Sequence, residues 1–367
     1  MHRVRIEARN AIHSYLFEAT PPGREPRMRR FVVARDDTVY EAFPDVLLLP
    51  DGRLLCAYRE GDAHAPQEFT RLVVRESRDR GATWSPPQVL AESVRGDLPR
   101  ERWWYWNCPR LARLRDGRLL LSCDTLYRTA DGREQSAEAR IWLWESTDGG
   151  RTWQEGRDSG VRGIVPDRVV DTLQGVLLLG AHYRDEAGMY NQVVWRSEDS
   201  GQTWQGPVRI AADTSLRHCE GSIVVLGDGT LVCYMRENSG LGLSGCKALS
   251  RDAGRSWAGP YPTQMVGCHR PSAGLLADGR VLITFGLRFG NGNRDVYAYV
   301  ESQESAREPD RPAAPARHPD VPRPRQSPTA GLRLQRLGAV PRRRSVVCLL
   351  HQSRRPALLY QRLCLSP

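Results

Sequence analysis

The sequence predicts an all-β protein, a β-propeller made of four-stranded units arranged around an axis. Two internal repeats lead to this prediction. The pattern Ser-x-Asp-x-Gly-x-Thr/Ser-Trp occurs four times, and successive copies begin 69, 51 and 53 residues apart. A second pattern occurs five times. It consists of an apolar run, then Asp-Gly or a near equivalent, then another apolar run. Periods near ~50 residues are typical of propellers and solenoids, in which each unit packs on its neighbours.

Each copy of the second pattern predicts a β-hairpin, because Asp-Gly between apolar runs is a strong signal for a tight turn. The five predicted turns are Asp51-Gly52, Asp116-Gly117, Gln174-Gly175, Asp228-Gly229 and Asp278-Gly279. A strand-like run such as "RIWLWE" then leads into the Ser-x-Asp-x-Gly pattern. The hairpin, this third strand and a fourth strand after the pattern make up one propeller blade.

The Ser-x-Asp-x-Gly patterns begin at Ser77, Ser146, Ser197 and Ser250. Their composition predicts a turn, because the Asp side chain can accept hydrogen bonds from amides of its own loop. Glycine tolerates backbone conformations that other residues avoid. The Trp is expected to pack back against the blade. We interpret the pattern as a fold signature whose residues do no chemistry.

The composition indicates an ordinary soluble chain of a reducing compartment. Nine cysteines are present without a CxxC pair, and several lie in strand-like runs, which favours buried free thiols over disulfides or a zinc site. No apolar run approaches the ~20 residues of a membrane span. The N-terminus lacks the apolar stretch of a secretory signal. We expect a cytoplasmic protein that does not bind a membrane.

The net charge of +10 does not indicate nucleic-acid binding, because it belongs to one end of the chain. Residues 301–367 hold 13 arginines and five acidic residues, a net of +8, which leaves +2 for the rest. That body has no basic stripe with interleaved aromatic residues. The sequence shows no metal-ligand spacing and no phosphate-binding loop. We expect no metal, no cofactor and no nucleic-acid partner.

Two columns of residues are predicted to meet at one mouth of the propeller. Both lie at the hairpin ends opposite the turns, and all such ends gather around the axis. The positions eight residues before the turn Asp, or its equivalent, hold Phe43, Cys108, Pro166, Glu220 and Arg270. The positions eight residues after it hold Arg59, Asp124, His182, Arg236 and Gly286. Each charged residue alone is typical of a solvated strand end, but as a set in register they indicate a binding site. Arg110, Asp45 and Asp167 are weaker candidates.

Together the two repeats resemble the sialidase (neuraminidase) superfamily, whose BNR repeats, or Asp boxes, lie on six-bladed β-propellers. The resemblance covers roughly residues 40–300. It implies an exo-acting glycoside hydrolase for terminal sialic acid or another acidic sugar such as a uronic acid. In that family a glutamate assists a tyrosine nucleophile, and Glu220 matches it. Arg236 and Arg270 match two members of an arginine triad that binds the sugar carboxylate, which guanidinium groups hold with two hydrogen bonds.

The resemblance places the family's acid/base aspartate in the loop after the first hairpin, where Asp62 is the best match, with Arg59 and His64 beside it. Asp124 and His182 complete the predicted substrate-binding set. The sequence departs from the family at two places. Ala42 occupies the position of the first triad arginine, for which Arg59 is the candidate replacement. The tyrosine nucleophile belongs to the sixth blade and would fall at Leu334.

The last part of the chain differs in character from the rest. Residues 301–367 hold ten of the 25 prolines and none of the ten tryptophans. A disordered linker is one interpretation. We favour a shifted reading frame, because one lysine against 52 arginines indicates a GC-rich gene. With suitable codons, dropping one base at Leu334 turns the following residues into "YSGWVQFPDG", which matches the missing hairpin of a sixth blade.

Three domain regions follow from these patterns: a leader or closing strand at 1–34, propeller blades at 35–304, and an irregular Arg/Pro-rich tail at 305–367 in place of the last blade. Two alternatives to the sialidase-like enzyme stay open. The chain could be a non-catalytic carbohydrate-binding propeller. It could also be the inactive, frameshifted product of an enzyme gene.

Overall fold

The computed structural model describes residues 12–18, 27–97, 102–129, 134–184, 190–212, 216–276, 278–287, 296–309, 347–352 and 363–365. Antiparallel strands form six sheets in these residues, and five of the sheets are successive blades of a β-propeller. The predicted all-β propeller is therefore confirmed. The first strands of the chain, β1 (Ile12–Glu18) and β2 (Arg27–Ala34), belong to the sixth sheet.

The five blades follow one another along the chain. Blade 1 contains β3 (Tyr40–Leu48), β4 (Leu54–Gly61), β5 (Phe69–Ser77) and β6 (Gln88–Val94). A 3-10 turn (Arg95–Asp97) leads to blade 2, which contains β7 (Arg102–Trp106), β8 (Arg110–Arg113), β9 (Leu119–Thr129), β10 (Glu134–Ser146) and β11 (Arg157–Arg162). Both β7 and β8 pair with the long strand β9.

Blades 3 and 4 have four strands each, and blade 5 has three in the described residues. Blade 3 contains β12 (Val170–Asp171), β13 (Leu177–Arg184), β14 (Tyr190–Ser197) and β15 (Gln205–Ala212). Blade 4 contains β16 (His218–Val225), β17 (Leu231–Glu237), β18 (Ser244–Ser250) and β19 (Ala258–Val266). Blade 5 contains β20 (Cys268–Leu275), β21 (Val281–Leu287) and β22 (Val296–Glu301), and the helix α1 (Gln303–Arg307) follows it.

All five predicted hairpin turns are confirmed. The glycine of each turn adopts a left-handed φ between 76° and 93°, a conformation that glycine reaches without steric cost. Each of these glycines also donates its N–H to the carbonyl three residues earlier, over 2.9–3.1 Å. The turn residues therefore fix the register of the two inner strands of every blade.

The four Ser-x-Asp-x-Gly patterns fold alike. In the copy at Ser146, the hydroxyl donates to Asp148 Oδ1 over 2.8 Å and accepts the Gly150 N–H over 2.9 Å. Asp148 in turn accepts from the Thr152 N–H and hydroxyl. The same bonds recur in the other three copies. The pattern is thus a self-contained turn, as predicted from its composition.

The hydrophobic core consists of apolar layers between neighbouring sheets. Between blades 1 and 2, for example, Leu55 and Leu72 pack with Leu111 and Leu121. The pattern tryptophans pack against these layers: Trp84, Trp153, Trp204 and Trp257. The seven cysteines whose side chains are described are all buried free thiols, which confirms the prediction for them.

The six blades implied by the resemblance are not confirmed, because the described residues show five. The remaining sheet joins β1 and β2 to β23 (Val347–Gln352) and β24 (Leu363–Leu365). Residues 310–346 and 353–362, with the nucleophile position Leu334, lie outside the described residues, so the predictions for the tail remain predictions. Within the described part of the chain, no helix is long and apolar enough to cross a membrane.

Candidate functional site

The inner strand of several blades carries a β-bulge at the first predicted column. Phe43, Glu220 and Arg270 have positive φ values of 55°, 53° and 47°, and the ladder register shifts at each of them. In blade 3 the positive φ falls on Val165, one residue before the predicted Pro166. Non-glycine residues rarely adopt this conformation, and bulges of this kind redirect side chains near functional sites.

The second column lies where the hairpin pattern predicted it. The register pairs the column residue with the residue just before the bulge, as Arg59 with Ala42, Arg236 with Cys219 and Gly286 with His269. Directly opposite residues on one face of an antiparallel pair are close neighbours. Within each of these blades, the two columns therefore meet at the same end of the hairpin.

Glu220 and Arg236 form a buried ion pair in blade 4. Arg236 Nη1 lies 2.8 Å from Glu220 Oε1, and the two side chains are 6% and 9% exposed. Arg236 Nη2 also donates to Asn238 Oδ1 over 2.6 Å. Burial raises the pKa of the Glu220 carboxyl, but the nearby His269 and Arg236 lower it by more, so the net direction is downward. Glu220 is therefore an anion held against a fixed cation.

His182 supports the Glu220 bulge from the neighbouring blade. Its Nδ1 accepts the Glu220 backbone N–H over 3.3 Å, and the ring is buried. Burial lowers the pKa of His182 to about 4, because the imidazolium ion loses its hydration. His182 is therefore neutral near pH 7, and it contributes a hydrogen-bond acceptor rather than a positive charge.

Asp124 has the equivalent position in blade 2 and a similar contact. Its carboxylate accepts from Asn107 Nδ2 (2.9 Å), the Cys108 N–H (2.9 Å) and the Val165 N–H of the blade 3 bulge (2.8 Å). The side chain is fully buried, and burial raises its pKa. Asp124 and His182 thus each hold the bulge residue of the next blade, a role that the sequence did not reveal.

Arg59 is fully buried and organises the loop that follows β4. Its Nη2 donates to the carbonyls of Ala63 (3.2 Å) and His64 (2.9 Å). The guanidinium carbon lies 4.6 Å from the centre of the Phe43 ring, within the range of cation–π contact. His64 shares this environment, because its ring lies 5.4 Å from Phe43 and its Nδ1 lies 3.3 Å from the Tyr40 hydroxyl.

Asp62 lies in the same loop, and its carboxylate contacts the loop backbone. Oδ1 accepts the N–H groups of Gln67 (3.1 Å), Glu68 (3.2 Å) and Phe69 (3.3 Å), and Oδ2 lies 3.0 Å from the Gln67 nitrogen. The residue is 3% exposed. These contacts show Asp62 stabilising the loop that Arg59 also holds.

Arg270 and Arg168 connect blades 3 and 5, which are not adjacent in the ring. Arg270 Nη2 donates to the Pro166 carbonyl over 3.3 Å, and Arg168 Nη2 donates to the Ala273 carbonyl over 2.9 Å. Both bonds cross the region of the propeller axis. Arg270 therefore reaches from its own bulge to the column position of blade 3.

The direct contacts divide the predicted site residues into two groups. Arg59, Asp62 and His64 share the blade 1 loop, whereas Glu220, Arg236 and His182 share the blade 4 bulge. Asp124 and Arg270 join other column positions. The weaker candidates Asp45, Arg110 and Asp167 line a small cavity at the axis. Within the residues described, no cluster of three His, Cys, Asp or Glu side chains could hold a metal ion.

Comparison with known proteins supports the fold. A family model described as a BNR repeat-like domain matches residues 52–307. No curated protein matches the sequence. A Dyadobacter fermentans protein of unknown function superposes with a TM-score of 0.65 at 19% identity, over 91% of this chain and 95% of that one.

Two glycoside hydrolases are also structurally similar. The Hadza microbial sialidase Hz136 has a TM-score of 0.55 at 15% identity, over 82% of each chain. A Penicillium chrysogenum alpha-L-arabinanase, complexed with arabinobiose, has a TM-score of 0.56 at 15% identity, over 80% of this chain and 91% of that chain. At such identities the likeness shows a shared fold.

Proposed function

The chain belongs to the BNR repeat-like domain family, and on this basis we propose that its mouth is the site of an exo-acting glycoside hydrolase for a terminal acidic sugar. Sialic acid and uronic acids are the candidate substrates. The observation that carries the proposal is the Glu220–Arg236 ion pair at a strained bulge, where a cation is fixed in place before any ligand arrives. Active sites commonly hold such preorganised charges.

The sugar carboxylate is proposed to bind the arginines of the mouth. Arg236 and Arg270 match two positions of the family's triad. Ala42 stands in place of the third, and the register puts Arg59 directly opposite Ala42. The side chain of Arg59 therefore originates next to the position of the missing triad arginine. This placement supports Arg59 as the replacement for that arginine. Guanidinium groups suit this task because they form paired hydrogen bonds to carboxylates.

Glu220 is proposed to assist a nucleophile supplied from the sixth-blade position. The terminal sheet is the candidate for that position, because Ile12, Val33 and Ala34 pack with Val46 and Tyr58 of blade 1. A tyrosine there would attack the anomeric carbon and form a glycosyl-enzyme intermediate that water then hydrolyses. The translated residue at the matching place is Leu334, so the shifted-frame hypothesis bears directly on activity.

Asp62 is proposed as the acid/base residue, with His64 close by. This role requires the carboxyl group to exchange its backbone partners for the glycosidic oxygen when a substrate binds. A positioned carboxylic acid of this kind protonates the leaving group and later activates water. Asp124 and His182 are proposed to act on the substrate indirectly, by holding the bulges that position the column side chains.

A non-catalytic carbohydrate-binding propeller is the second candidate. The hydrogen bonds between Asp62 and three backbone N–H groups favour it, because they leave the carboxylate engaged in the loop. Leu334 in place of a tyrosine favours an inactive, frameshifted product in the same way. In both cases the arginines could still bind an acidic sugar without turnover.

Paired turnover assays separate these readings. The 367-residue chain and a version with the tail frame restored are assayed on aryl glycosides of sialic acid and glucuronic acid, with an aryl arabinoside as the neutral control. The proposal predicts turnover of an acidic glycoside by the restored chain and far slower turnover by the present one. Turnover by neither chain on any acidic sugar would favour the binding propeller. Equal turnover by both would refute the nucleophile assignment.

A further inference from the structure

The loop between β4 and β5 holds the Asp62 carboxylate through three consecutive peptide units. Asp62 Oδ1 accepts the N–H groups of Gln67 (3.1 Å), Glu68 (3.2 Å) and Phe69 (3.3 Å). Each of these N–H groups shares its peptide unit with the carbonyl of the preceding residue. A trans peptide is planar and directs its C=O and its N–H to opposite sides. The partners of the three carbonyls therefore help to decide how the N–H groups face the carboxylate.

All three carbonyls accept hydrogen bonds from arginine residues. Arg128 Nε donates to the Pro66 carbonyl over 2.9 Å. Arg95 donates through Nη1 to the Gln67 carbonyl over 3.4 Å, and through its backbone N–H to the Glu68 carbonyl over 2.8 Å. Each peptide unit thus links a donor of an arginine residue on one side with the carboxylate on the other.

Arg128 belongs to a different blade from the loop that it contacts. It lies near the end of β9 in blade 2 and is 9% exposed. Its guanidinium carbon lies 5.4 Å from the centre of the Tyr105 ring, within the range of cation–π contact. Pro66 has no N–H, so its backbone offers this cation a carbonyl alone. Because the two residues are 62 positions apart in the sequence, this support for the loop is not local.

The peptide unit between Pro66 and Gln67 makes the closest of these links. Its carbonyl bonds to a charged donor, and its nitrogen lies 3.1 Å from Asp62 Oδ1 and 3.0 Å from Oδ2. Hydrogen bonds that involve a charged group are stronger than neutral ones. Hydrogen bonds in a chain also polarise one another, so a cation at the carbonyl makes the N–H a better donor. Arg128 therefore acts on the Asp62 carboxylate through a single peptide unit.

We propose that Arg128 is a positioning residue for Asp62. The inference rests on the acid/base role proposed above, in which the carboxyl group exchanges its backbone partners for the glycosidic oxygen. Arg128 keeps the backbone of the loop in place, so Asp62 can make this exchange by a movement of its side chain alone. Without Arg128, the first peptide unit can rotate, and the carboxyl group loses its defined place at the mouth.

Hydrogen exchange of the loop amides in the 367-residue chain is the direct test. We expect Arg128→Gln to speed exchange across residues 62–69 at least ~10-fold, because local opening of the loop becomes easier. Arg128→Lys should lie between this variant and the parent chain, since it keeps the charge but not the planar donor. Arg113→Gln, which changes an exposed arginine of the same blade, should leave the loop unaffected.

Unchanged exchange of the loop amides in Arg128→Gln would overturn the proposal. If that variant does not fold, Arg128→Lys decides, and exchange equal to that of the parent chain would then contradict the proposal.

Coupling to Asp62 separates a positioning role of Arg128 from a merely structural one. Exchange of the loop amides is also measured in Asp62→Asn and in the double variant with Arg128→Gln. We expect Arg128→Gln to add little once Asp62 is replaced, because the peptide units then have no carboxylate to hold. Fully additive effects would show that Arg128 supports the loop independently of Asp62, and would contradict the proposal.

Turnover by the restored-frame chain distinguishes a failure of this inference from a failure of the proposed hydrolase. In that chain we expect Arg128→Gln to lower kcat ~10-fold with KM nearly unchanged, because the arginines proposed to bind the sugar carboxylate remain. A raised KM with unchanged kcat would contradict a positioning role. If the restored chain turns over no acidic glycoside, the proposed hydrolase fails, whereas the exchange measurements still decide whether Arg128 positions Asp62.

Discussion

Glu220 and Arg236 face each other across 2.8 Å at the mouth of blade 4, with less than a tenth of either side chain exposed. The bulge at Glu220 and the pairing of Arg236 with Cys219 bring them together, and His182 of the preceding blade holds the bulge. This arrangement fixes a buried cation where an acidic ligand is proposed to bind. Its stability and its chemistry can be tested separately.

The ion pair predicts a large loss of stability when one partner is removed. Arg236→Met should lower the free energy of unfolding by about 3–5 kcal/mol, because it leaves Glu220 buried without its cation. The double variant with Glu220→Gln should recover part of that loss. Urea unfolding of the parent chain, the two single variants and the double variant measures the coupling free energy between the two residues.

The pair of Arg71 and Glu92 is the matched control. Its atoms are 2.6 Å apart, but the side chains are 42% and 44% exposed, so water screens their charges. Arg71→Met should cost at most about 1 kcal/mol. Similar losses of unfolding free energy for Arg71→Met and Arg236→Met would show that burial does not strengthen the Glu220–Arg236 pair.

We expect the buried His182 to make the protein less stable in acid. Its pKa is about 4 in the folded protein and ordinarily 6.5, so the unfolded chain binds the proton first as the pH falls. Stability should therefore decrease from pH 6.5 down to 4, and this decrease should be smaller in His182→Gln. Tm measured against pH for both chains checks this. An unchanged slope in the variant would contradict the assignment.

For Glu41 we expect the opposite dependence of stability on pH. Burial and the opposing carboxylate of Glu60, its partner across the strands, raise its pKa from 4.5 to about 8. The folded protein then keeps a proton that the unfolded chain releases, so Glu41 lowers stability as the pH rises from 4.5 to 8. Glu41→Gln should remove this effect and have a Tm several degrees above that of the parent chain at pH 8. A variant that is less stable than the parent at pH 8 would refute the prediction.

Local sequence signals predicted the repeat architecture well. The turn glycines and the Ser-x-Asp-x-Gly patterns act within a few residues, so their geometry follows from their composition alone. The hairpin register also put Arg59 and Arg236 at the correct strand ends. These features require no knowledge of how one blade meets another.

Contacts between blades could not be predicted in the same way. Asp124 and His182 looked like ligand-binding residues because they lie in the charged column, whereas their polar atoms accept backbone N–H groups of the next blade. The bulges put the non-glycine residues Phe43, Glu220 and Arg270 at positive φ, a conformation that their own side chains do not favour, so local sequence did not predict them. Asp62 lies in the loop after the first hairpin, where the sequence predicts it, but its hydrogen bonds to the N–H groups of that loop depend on the folded path of residues 62–69.

Ligand binding shows whether the arginines of the mouth recognise a sugar carboxylate. Titration calorimetry compares free sialic acid and glucuronic acid with their methyl esters, which keep the ring but lose the charge. We expect at least one acid to bind the 367-residue chain at least ~10-fold more tightly than its ester, and Arg236→Lys to weaken this preference. Equal binding of acid and ester, or no binding of either acid, would contradict this expectation.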